Sequence, residues 1–258
     1  MISDDAKLII HGLSDVGLVR GHNEDKISWD SNLGLVLLAD GMGGHNGGDI
    51  ASSILVKCVP EYFIRHQGAN AEELLTESIK FANNVIFNKG KEDQKLKGMG
   101  TTAVACFFKE SHLHIGNVGD SRAYLIQNGK IYQLTIDHSL VHEKLSLSIL
   151  SGLGNYDRKK AEEDPQKNVL IRTVGFEENI SVDVFSYKVS KNDLFIICSD
   201  GLHGKVSDEK ILNTWLKNAL NYDEVSQELI DQTTNELIDI ANQNGGNDNI
   251  SAILMYAK

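Results

Sequence analysis

The stretch TTAVACFFKESHLHIGNVGDSRAYLIQNGK, residues 101–130, carries the clearest information about the fold. Its apolar, β-branched and aromatic residues form short runs at 101–108, 112–115 and 123–126. Lys109-Glu110-Ser111 joins the first two runs, and Gln127-Asn128-Gly129-Lys130 follows the third. Both connections have the composition of tight turns, so the stretch predicts antiparallel hairpins.

Segments on both sides extend this pattern. Strands are predicted at 35–39, 180–189, 194–198 and 250–255, and helices at 48–66, 71–88, 208–220 and 223–242. This order differs from the regular strand–helix alternation of a doubly wound parallel sheet. Because the chain also has no internal repeat or linker, the order predicts one α+β domain in which helices cover antiparallel sheets.

The composition limits the partners that the protein can have. The chain has 258 residues with 36 acidic and 25 basic side chains, a net charge of −11. We therefore expect neither nucleic acid nor an anionic membrane as the main partner. No apolar run near the start approaches the roughly 20 residues of a membrane helix, and a signal-peptide pattern is lacking. With three cysteines (Cys58, Cys106 and Cys198) that form no CxxC pair and are expected to be buried and reduced, these features predict a cytoplasmic protein.

Acidic residues recur where predicted strands begin or end. They are Asp40-Gly41, Asp120, Asp200-Gly201 and Asp248. A single Asp-Gly pair is most often only a turn. Four acids at strand ends, however, favour an oxygen-rich site for a hard cation such as Mg²⁺ or Mn²⁺. A glycine beside the acid lets a ligand or metal approach the main chain.

Two polar segments near these acids have more than one interpretation. The glycine-rich run 40–49 precedes a predicted helix and could be a phosphate-binding loop. It lacks the lysine of a P-loop, and its acidic ends would repel a nucleotide, so this interpretation is the weaker one. Arg20 is either a solvated surface residue or a bidentate clamp for a phosphoryl group.

Seven blocks occur in order along nearly the whole chain. They are residues 14–25, 39–45, 99–102, 116–124, 134–140, 198–202 and 245–250. Together they resemble the metal-dependent protein serine/threonine phosphatases of type 2C, the PPM family, in their bacterial-type form. This resemblance implies an α+β, four-layer αββα sandwich of two antiparallel sheets flanked by helix pairs. It also implies that 1–258 is a single catalytic domain, with a flap segment at about 140–168.

The resemblance further implies a set of metal ligands. Asp40 resembles the carboxylate that bridges two metal ions, and the Gly41 carbonyl resembles a ligand of one of them. Asp200 and Asp248 resemble ligands of the other ion. Asp120 resembles, with Asp200, the site of a third and weaker ion, although it is alternatively a turn residue that caps its own backbone or pairs with Arg122.

The remaining implied roles surround these ligands. Arg20 resembles the phosphate-binding arginine, Glu24 holds metal-bound water, and Asp25 supports that water. Asn249 and His45 lie behind the ligands. Animal members carry a proton-donating histidine directly after Asp-Gly, but this chain has Met42 there. The leaving-group proton therefore comes from water or from His45, which is equally well interpreted as a locally bonded loop residue.

The implied reaction is hydrolysis of phosphoserine and phosphothreonine on proteins, by direct attack of a hydroxide that bridges two Mn²⁺ or Mg²⁺ ions. The implied partners are phosphorylated proteins, including a Ser/Thr kinase or its substrates, and the protein is expected to be a monomer. One alternative is a phosphatase of a stress-response partner-switching cascade, which Arg20 and the insert between His138 and Val169 disfavour. Another is a catalytically silent phosphoprotein-binding adaptor, which the retained acids at 40, 200 and 248 disfavour.

Overall fold

Two five-stranded antiparallel sheets form the centre of the molecule. A computed structural model describes residues 8–43, 47–66, 68–151, 156–220 and 224–258. The first sheet has the order β1 (Leu8–Asp15), β12 (Ile250–Ala257), β11 (Leu194–Cys198), β8 (Arg122–Gln127) and β9 (Lys130–Gln133). The second has the order β10 (Asp183–Lys188), β7 (His112–Val118), β6 (Ala103–Lys109), β3 (Leu35–Ala39) and β2 (Lys26–Asp30). A short ladder pairs β4 (Gly41–Met42) with β5 (Gly100–Thr101).

Helices cover the outer faces of both sheets. The described residues contain the helices α1 (Gly47–Arg65), α2 (Ala71–Glu92), α3 (Leu140–Leu150), α4 (Arg158–Glu163), α5 (Asp200–His203), α6 (Asp208–Ala219) and α7 (Gln227–Gln243). Of these, α1 and α2 pack on the second sheet, and α6 and α7 pack on the first. Several begin at a residue whose side chain accepts a main-chain N–H of the first turn, namely Asn70, Ser139, Ser207 and Ser226. Such capping residues fix where a helix starts, because they satisfy a donor that has no partner within the helix.

Three hydrophobic cores separate four layers. Alternate residues of a strand point to opposite faces of its sheet. On β3, Val36 and Leu38 therefore join the core between the two sheets, together with Phe195 and Ile197 of β11. The other face of the second sheet packs against α1 and α2, and the other face of the first packs against helices that include α6 and α7. The predicted αββα sandwich is confirmed by this layering.

The predicted hairpins are also present. Lys109 pairs with His112 across a two-residue loop, as Gln127 does with Lys130. Both loops place two consecutive residues at positive φ, including Glu110 at 51°. Positive φ at both loop positions gives the turn a twist that matches the flanking strands.

Some elements were not predicted from the sequence. Strands β1, β2 and β9 and helices α3, α4 and α5 belong to this group. The strand predicted at 180–189 is shorter, since β10 spans Asp183–Lys188, and the helix predicted from 223 begins at Gln227. The three cysteines are buried and free, as expected. Among the described residues, no helix has the length and apolar character needed to cross a membrane.

The register of the strands brings several chain segments to one edge of the sandwich. In the first sheet, the end of β11 lies between the start of β8 and the start of β12. In the second, the end of β3 lies beside the start of β6, which pairs with the end of β7. The residues that follow or precede these strand ends therefore lie at the same edge, and they include the acids of the predicted metal site.

Candidate active site

Acidic side chains from both sheets meet at this edge, around Asp40. Asp40 and Asp120 follow β3 and β7 of the second sheet. Asp200 follows β11 and Asp248 precedes β12, both in the first sheet. Four nearby acids raise the pKa of Asp40: Asp120, Asp200, Asp248 and Asp25, which is the residue before β2. Acids that are far apart in the sequence thus form one cluster of negative charge.

The surroundings of this cluster favour the protonated, neutral form of its carboxyl groups over the anionic form. Burial raises the pKa of Asp40 well above its usual range, and the neighbouring acids raise it further. Burial and then the charge of Asp200 raise the pKa of Asp120 to about 8. Burial and Asp248 raise the pKa of Asp200, against the effect of its hydrogen bond with Asp40. Because two carboxylates at hydrogen-bonding distance repel each other, the cluster has the electrostatics of a cation site.

Asp25 contributes a buried oxygen that has no partner. Its side chain is 3% exposed, and its Oδ2 accepts hydrogen bonds from Ser199 Oγ at 2.8 Å and Ser251 Oγ at 2.6 Å. Burial raises its pKa to about 6, although both hydroxyls lower it. Its Oδ1 is buried without any hydrogen bond. A buried carboxylate oxygen rarely stays unpaired unless an ion or a water completes the site.

Asn249 ties the loop that carries Arg20 and Glu24 to the start of β12. Its Oδ1 accepts the main-chain N–H of Glu24 at 2.8 Å. Its Nδ2 donates to the carbonyl oxygens of Val16 and His22, each at 2.9 Å. Three hydrogen bonds from one buried amide therefore hold residues 16–24 beside Asp248.

Arg20 has a partner that the sequence did not predict. Its Nη2 donates to Asp248 Oδ2 at 2.8 Å, and the two side chains are 51% and 38% exposed. This hydrogen bond raises the pKa of Arg20. An exposed pair of this kind contributes little to stability, so other ions can compete for either partner. The two residues expected to bind phosphate and metal separately contact each other here.

The loop that carries Asp120 is held by residues that sequence reasoning missed. Thr102 Oγ1 and Ser121 Oγ lie 2.8 Å apart, and Thr102 Oγ1 also accepts the main-chain N–H of Asp40. His203 donates from Nε2 to the carbonyl oxygen of Asp120 at 3.0 Å, and burial lowers the pKa of His203 to about 3. The histidine therefore stays neutral and links α5 to this loop.

Arg122 is not free to pair with Asp120. Its guanidinium forms a bidentate ion pair with Asp137, with distances between 2.7 and 3.1 Å, and also donates to Tyr124 Oη. The alternative in which Asp120 is simply the partner of Arg122 therefore has no support from the hydrogen bonds. The other part of that alternative, in which Asp120 bonds its own backbone, agrees with the backbone hydrogen bond that lowers the pKa of Asp120 against the effect of burial.

Two glycines of the Asp-Gly pairs have a packing role. A Cβ on Gly41 would overlap the carbonyl oxygens of Gly48 and Glu24, and a Cβ on Gly201 would overlap that of Asn249. The sequence suggested that these glycines admit a ligand to the main chain. Instead, they let other main-chain segments approach the acids, which is how the cluster is assembled.

The available donors fit a hard cation that keeps water ligands. All are oxygens: carboxylates and the Gly41 carbonyl, which Mn²⁺ and Mg²⁺ prefer. No three His, Cys, Asp or Glu side chains in the described part of the chain form a complete cage by themselves. A carbonyl and waters would therefore share the coordination. His45, which the sequence placed behind this site, lies outside the described residues.

A family model for protein phosphatase 2C matches residues 20–254, a span that contains every acid of the cluster. The chain belongs to the protein phosphatase 2C family. Serine/threonine phosphatase stp of Listeria monocytogenes is 36% identical over 249 residues, which cover 94% of this chain and 93% of the relative. Serine/threonine protein phosphatase PstP of Mycobacterium tuberculosis is 31% identical over 93% of this chain and 43% of its own length. This 2C phosphatase is accordingly a protein serine/threonine phosphatase.

Solved structures agree with the fold of this 2C phosphatase. The Streptococcus agalactiae serine/threonine phosphatase superimposes with a TM-score of 0.84 at 31% identity, over 98% of this chain and all of that one. The catalytic domain of PstP, solved in complex with two manganese ions, gives a TM-score of 0.81 at 28% identity and covers 97% of this chain and 98% of that domain. The four-layer sandwich is thus that of structures in the same family.

Proposed function

We propose that this phosphatase hydrolyses phosphoserine and phosphothreonine with the help of two Mn²⁺ or Mg²⁺ ions held by the acidic cluster. The observation that carries the proposal is the approach of Asp40, from one sheet, to within hydrogen-bonding range of Asp200, from the other. Neither carboxylate has a cationic side chain bonded to it among the described residues. Asp40, the Gly41 carbonyl, Asp200 and Asp248 would together hold the ions.

The chemistry divides between the ions and the side chains. When bound, such a pair acts as a Lewis acid that provides hydroxide near neutral pH and offsets phosphoryl charge. Asp25 and Glu24 would accept hydrogen bonds from water and so orient the oxygen that attacks phosphorus. The unpaired Oδ1 of Asp25 is suited to this task. Met42 has no proton to donate, so the proton for the leaving seryl or threonyl oxygen would come from water or from His45.

Arg20 would bind the phosphoryl group after leaving Asp248. Replacing it with alanine should raise KM for a phosphothreonine peptide about tenfold or more and lower kcat less than about threefold, because the clamp acts mainly on the bound phosphoryl group. Steady-state kinetics at saturating Mn²⁺ measure both constants. Arg65→Ala is the matched control, since Arg65 is an exposed arginine on α1 whose one ion pair among the described residues is with Glu61. An unchanged KM in Arg20→Ala would assign Arg20 to the solvated surface.

Asp120 would hold a third, weaker ion together with Asp200. Asp120→Ala should fold normally and still bind two Mn²⁺ ions, because Asp40, Asp200 and Asp248 remain. Its turnover of a phosphopeptide should fall about tenfold or more. Calorimetric Mn²⁺ titration and kinetics on the same preparation give the two measurements.

The control for this variant is an aspartate that only caps a turn. Asp30 accepts the main-chain N–H groups of Asn32 and Leu33 through Oδ1. Asp30→Ala should lose stability and keep its turnover. If Asp120→Ala behaves in the same way as Asp30→Ala, or loses the two tightly bound ions, the assignment of Asp120 is wrong.

The proposal extends to the setting of the enzyme. We infer that residues 1–258 form a single catalytic domain with a flap at about 140–168, supported by the family match over 20–254. We also infer that a monomer acts in the cytoplasm on proteins phosphorylated by a Ser/Thr kinase. The names of the relatives, which are serine/threonine phosphatases, support the substrate class.

A further inference from the structure

His138 belongs to a block of the sequence, residues 134–140, that the proposed chemistry does not use. Its side chain is 5% exposed, and it lies where three segments meet. These are the loop before β8, the first residue of β10, and residues 170–172. Ile171 donates its main-chain N–H to the carbonyl oxygen of His138 at 2.9 Å. A buried histidine between three segments needs partners for both of its ring nitrogens.

One of those partners is Gly119, the residue before Asp120. The main-chain N–H of His138 donates to Gly119 O at 2.9 Å, and the N–H of Gly119 donates to His138 Nδ1 at 3.0 Å. Both polar main-chain groups of Gly119 are therefore bonded to a single residue. Gly119 has a φ of 103°, and a Cβ there would overlap the side chain of Thr102. The backbone that leads into Asp120 thus has little freedom of its own.

The hydrogen bond from Gly119 to Nδ1 fixes the tautomer of the ring. Because the Gly119 N–H can only donate, Nδ1 must carry a lone pair, and the proton lies on Nε2. Nε2 donates to Asp183 Oδ2 at 3.1 Å. Arg172 Nη1 lies 3.0 Å from the same Nε2 but is itself a donor, and it donates to Asp183 Oδ1 at 2.6 Å. Burial lowers the pKa of His138, which keeps the ring neutral.

We propose that His138 is a positioning residue, which sets the location of Asp120 by accepting the Gly119 N–H at Nδ1. Asp183 and Arg172 orient the ring for this task from β10 and from the segment that ends the predicted flap. The inference rests on the role proposed above for Asp120. It predicts that the acceptor at Nδ1 matters for turnover and that the donor at Nε2 matters less.

Two substitutions separate these functions of the ring. In His138→Asn, Oδ1 takes the place of Nδ1 and can accept the Gly119 N–H, whereas in His138→Gln the amide reaches only the place of Nε2. We expect His138→Gln to lower kcat on a phosphothreonine peptide about 10- to 100-fold, the usual cost of losing a residue that orients a metal ligand. His138→Asn should retain kcat within about threefold of wild type, with KM unchanged in both. A role in core packing alone would give equal losses, and this result would overturn the proposal.

Two further measurements do not depend on turnover. The ¹⁵N shifts of the wild-type ring should show an unprotonated Nδ1 and a protonated Nε2, and the Gly119 amide should exchange faster in His138→Gln than in His138→Asn. Titration with Mn²⁺ alone should show weaker binding of the third ion only in His138→Gln. The control is His11→Gln, since His11 also pairs with an aspartate, Asp231, but contacts no residue of the loop. The opposite tautomer would refute the proposal.

A double variant distinguishes failure of this proposal from failure of the role given to Asp120. If Asp120→Ala alone leaves turnover and Mn²⁺ binding unchanged, the role of Asp120 is wrong. If Asp120→Ala lowers turnover, His138→Gln should add less than about twofold in that background, because both act through one group. Full additivity of the two effects would show that His138 does not act through Asp120.

Discussion

Asp200→Asn should lower kcat at least about a hundredfold on a phosphothreonine peptide at saturating Mn²⁺. The substitution keeps the shape of the side chain but removes one negative charge from the cluster that would hold the ions. Metal binding is therefore weaker, and so is the compensation of phosphoryl charge that the ions provide. Asp248→Asn should have a similar effect, although this residue also loses its ion pair with Arg20. Steady-state kinetics across a range of Mn²⁺ concentrations measure the loss.

Stability distinguishes this effect from a folding defect. Without cations, burial and the charge of Asp248 disfavour the Asp200 carboxylate, so Asp200→Asn in a chelator should melt at or above the wild-type temperature. Asp239→Asn, an exposed position on α7, is the control and should change neither kcat nor the melting temperature. Near-normal kcat in Asp200→Asn would mean that the wrong carboxylates have been assigned.

Removal of divalent metal should abolish activity on an aryl phosphate, and addition of Mn²⁺ or Mg²⁺ should restore it. All of the implied ligands are oxygens, and the raised pKa values of Asp40, Asp120 and Asp200 reflect burial first and then the negative charge of neighbouring acids, without a compensating cation. The same charge predicts a thermal effect. At a Mn²⁺ concentration 100 times its Kd, one bound ion stabilises the folded state by about 2.7 kcal/mol.

The two readouts come from the same samples. Activity and the melting temperature should rise together as Mn²⁺ is added to chelated enzyme, and Asp200→Asn should show a smaller rise in both. K⁺ at the same ionic strength is the control, since general screening would act on both proteins equally. Full turnover after exhaustive chelation would remove the metal from the mechanism.

Strands that are buried on both faces are among those that could be predicted most directly from sequence. β3 and β11 are continuous apolar runs, and every residue in each is buried. β1 has only partly buried residues and includes His11, Gly12 and Ser14, so its pattern resembles a loop. The first residues of α3 follow Ser139, whose capping role became visible only once the helix was known. Tertiary burial, which a single sequence does not contain, decides these cases.

The acids of the site were predicted because they belong to motifs, but their arrangement was not. The ion pair between Arg20 and Asp248 joins residues 228 positions apart, and the hydrogen bond from His203 to Asp120 O spans 83. Neither has a local signature in the sequence. The packing of Gly201 against the Asn249 carbonyl also has no local signature, because the sequence shows the glycine but not the neighbour that leaves no room for a side chain. Contacts made at the meeting point of two sheets depend on the fold as a whole.

The strand order of the first sheet has a consequence for how the enzyme is made. β12 contains residues 250–257, yet it lies inside the sheet between β1 and β11 rather than at its edge. On the ribosome, β1 therefore cannot pair with its only neighbour in that sheet until residues 250–257 have been synthesised. Long-range pairing of this kind is slow and leaves strand edges exposed in the meantime. Because Asp248 lies two residues before β12, a nascent chain gains this acid and completes its first sheet at nearly the same moment, and we expect chains that end before Asp248 to be unable to remove phosphate from proteins.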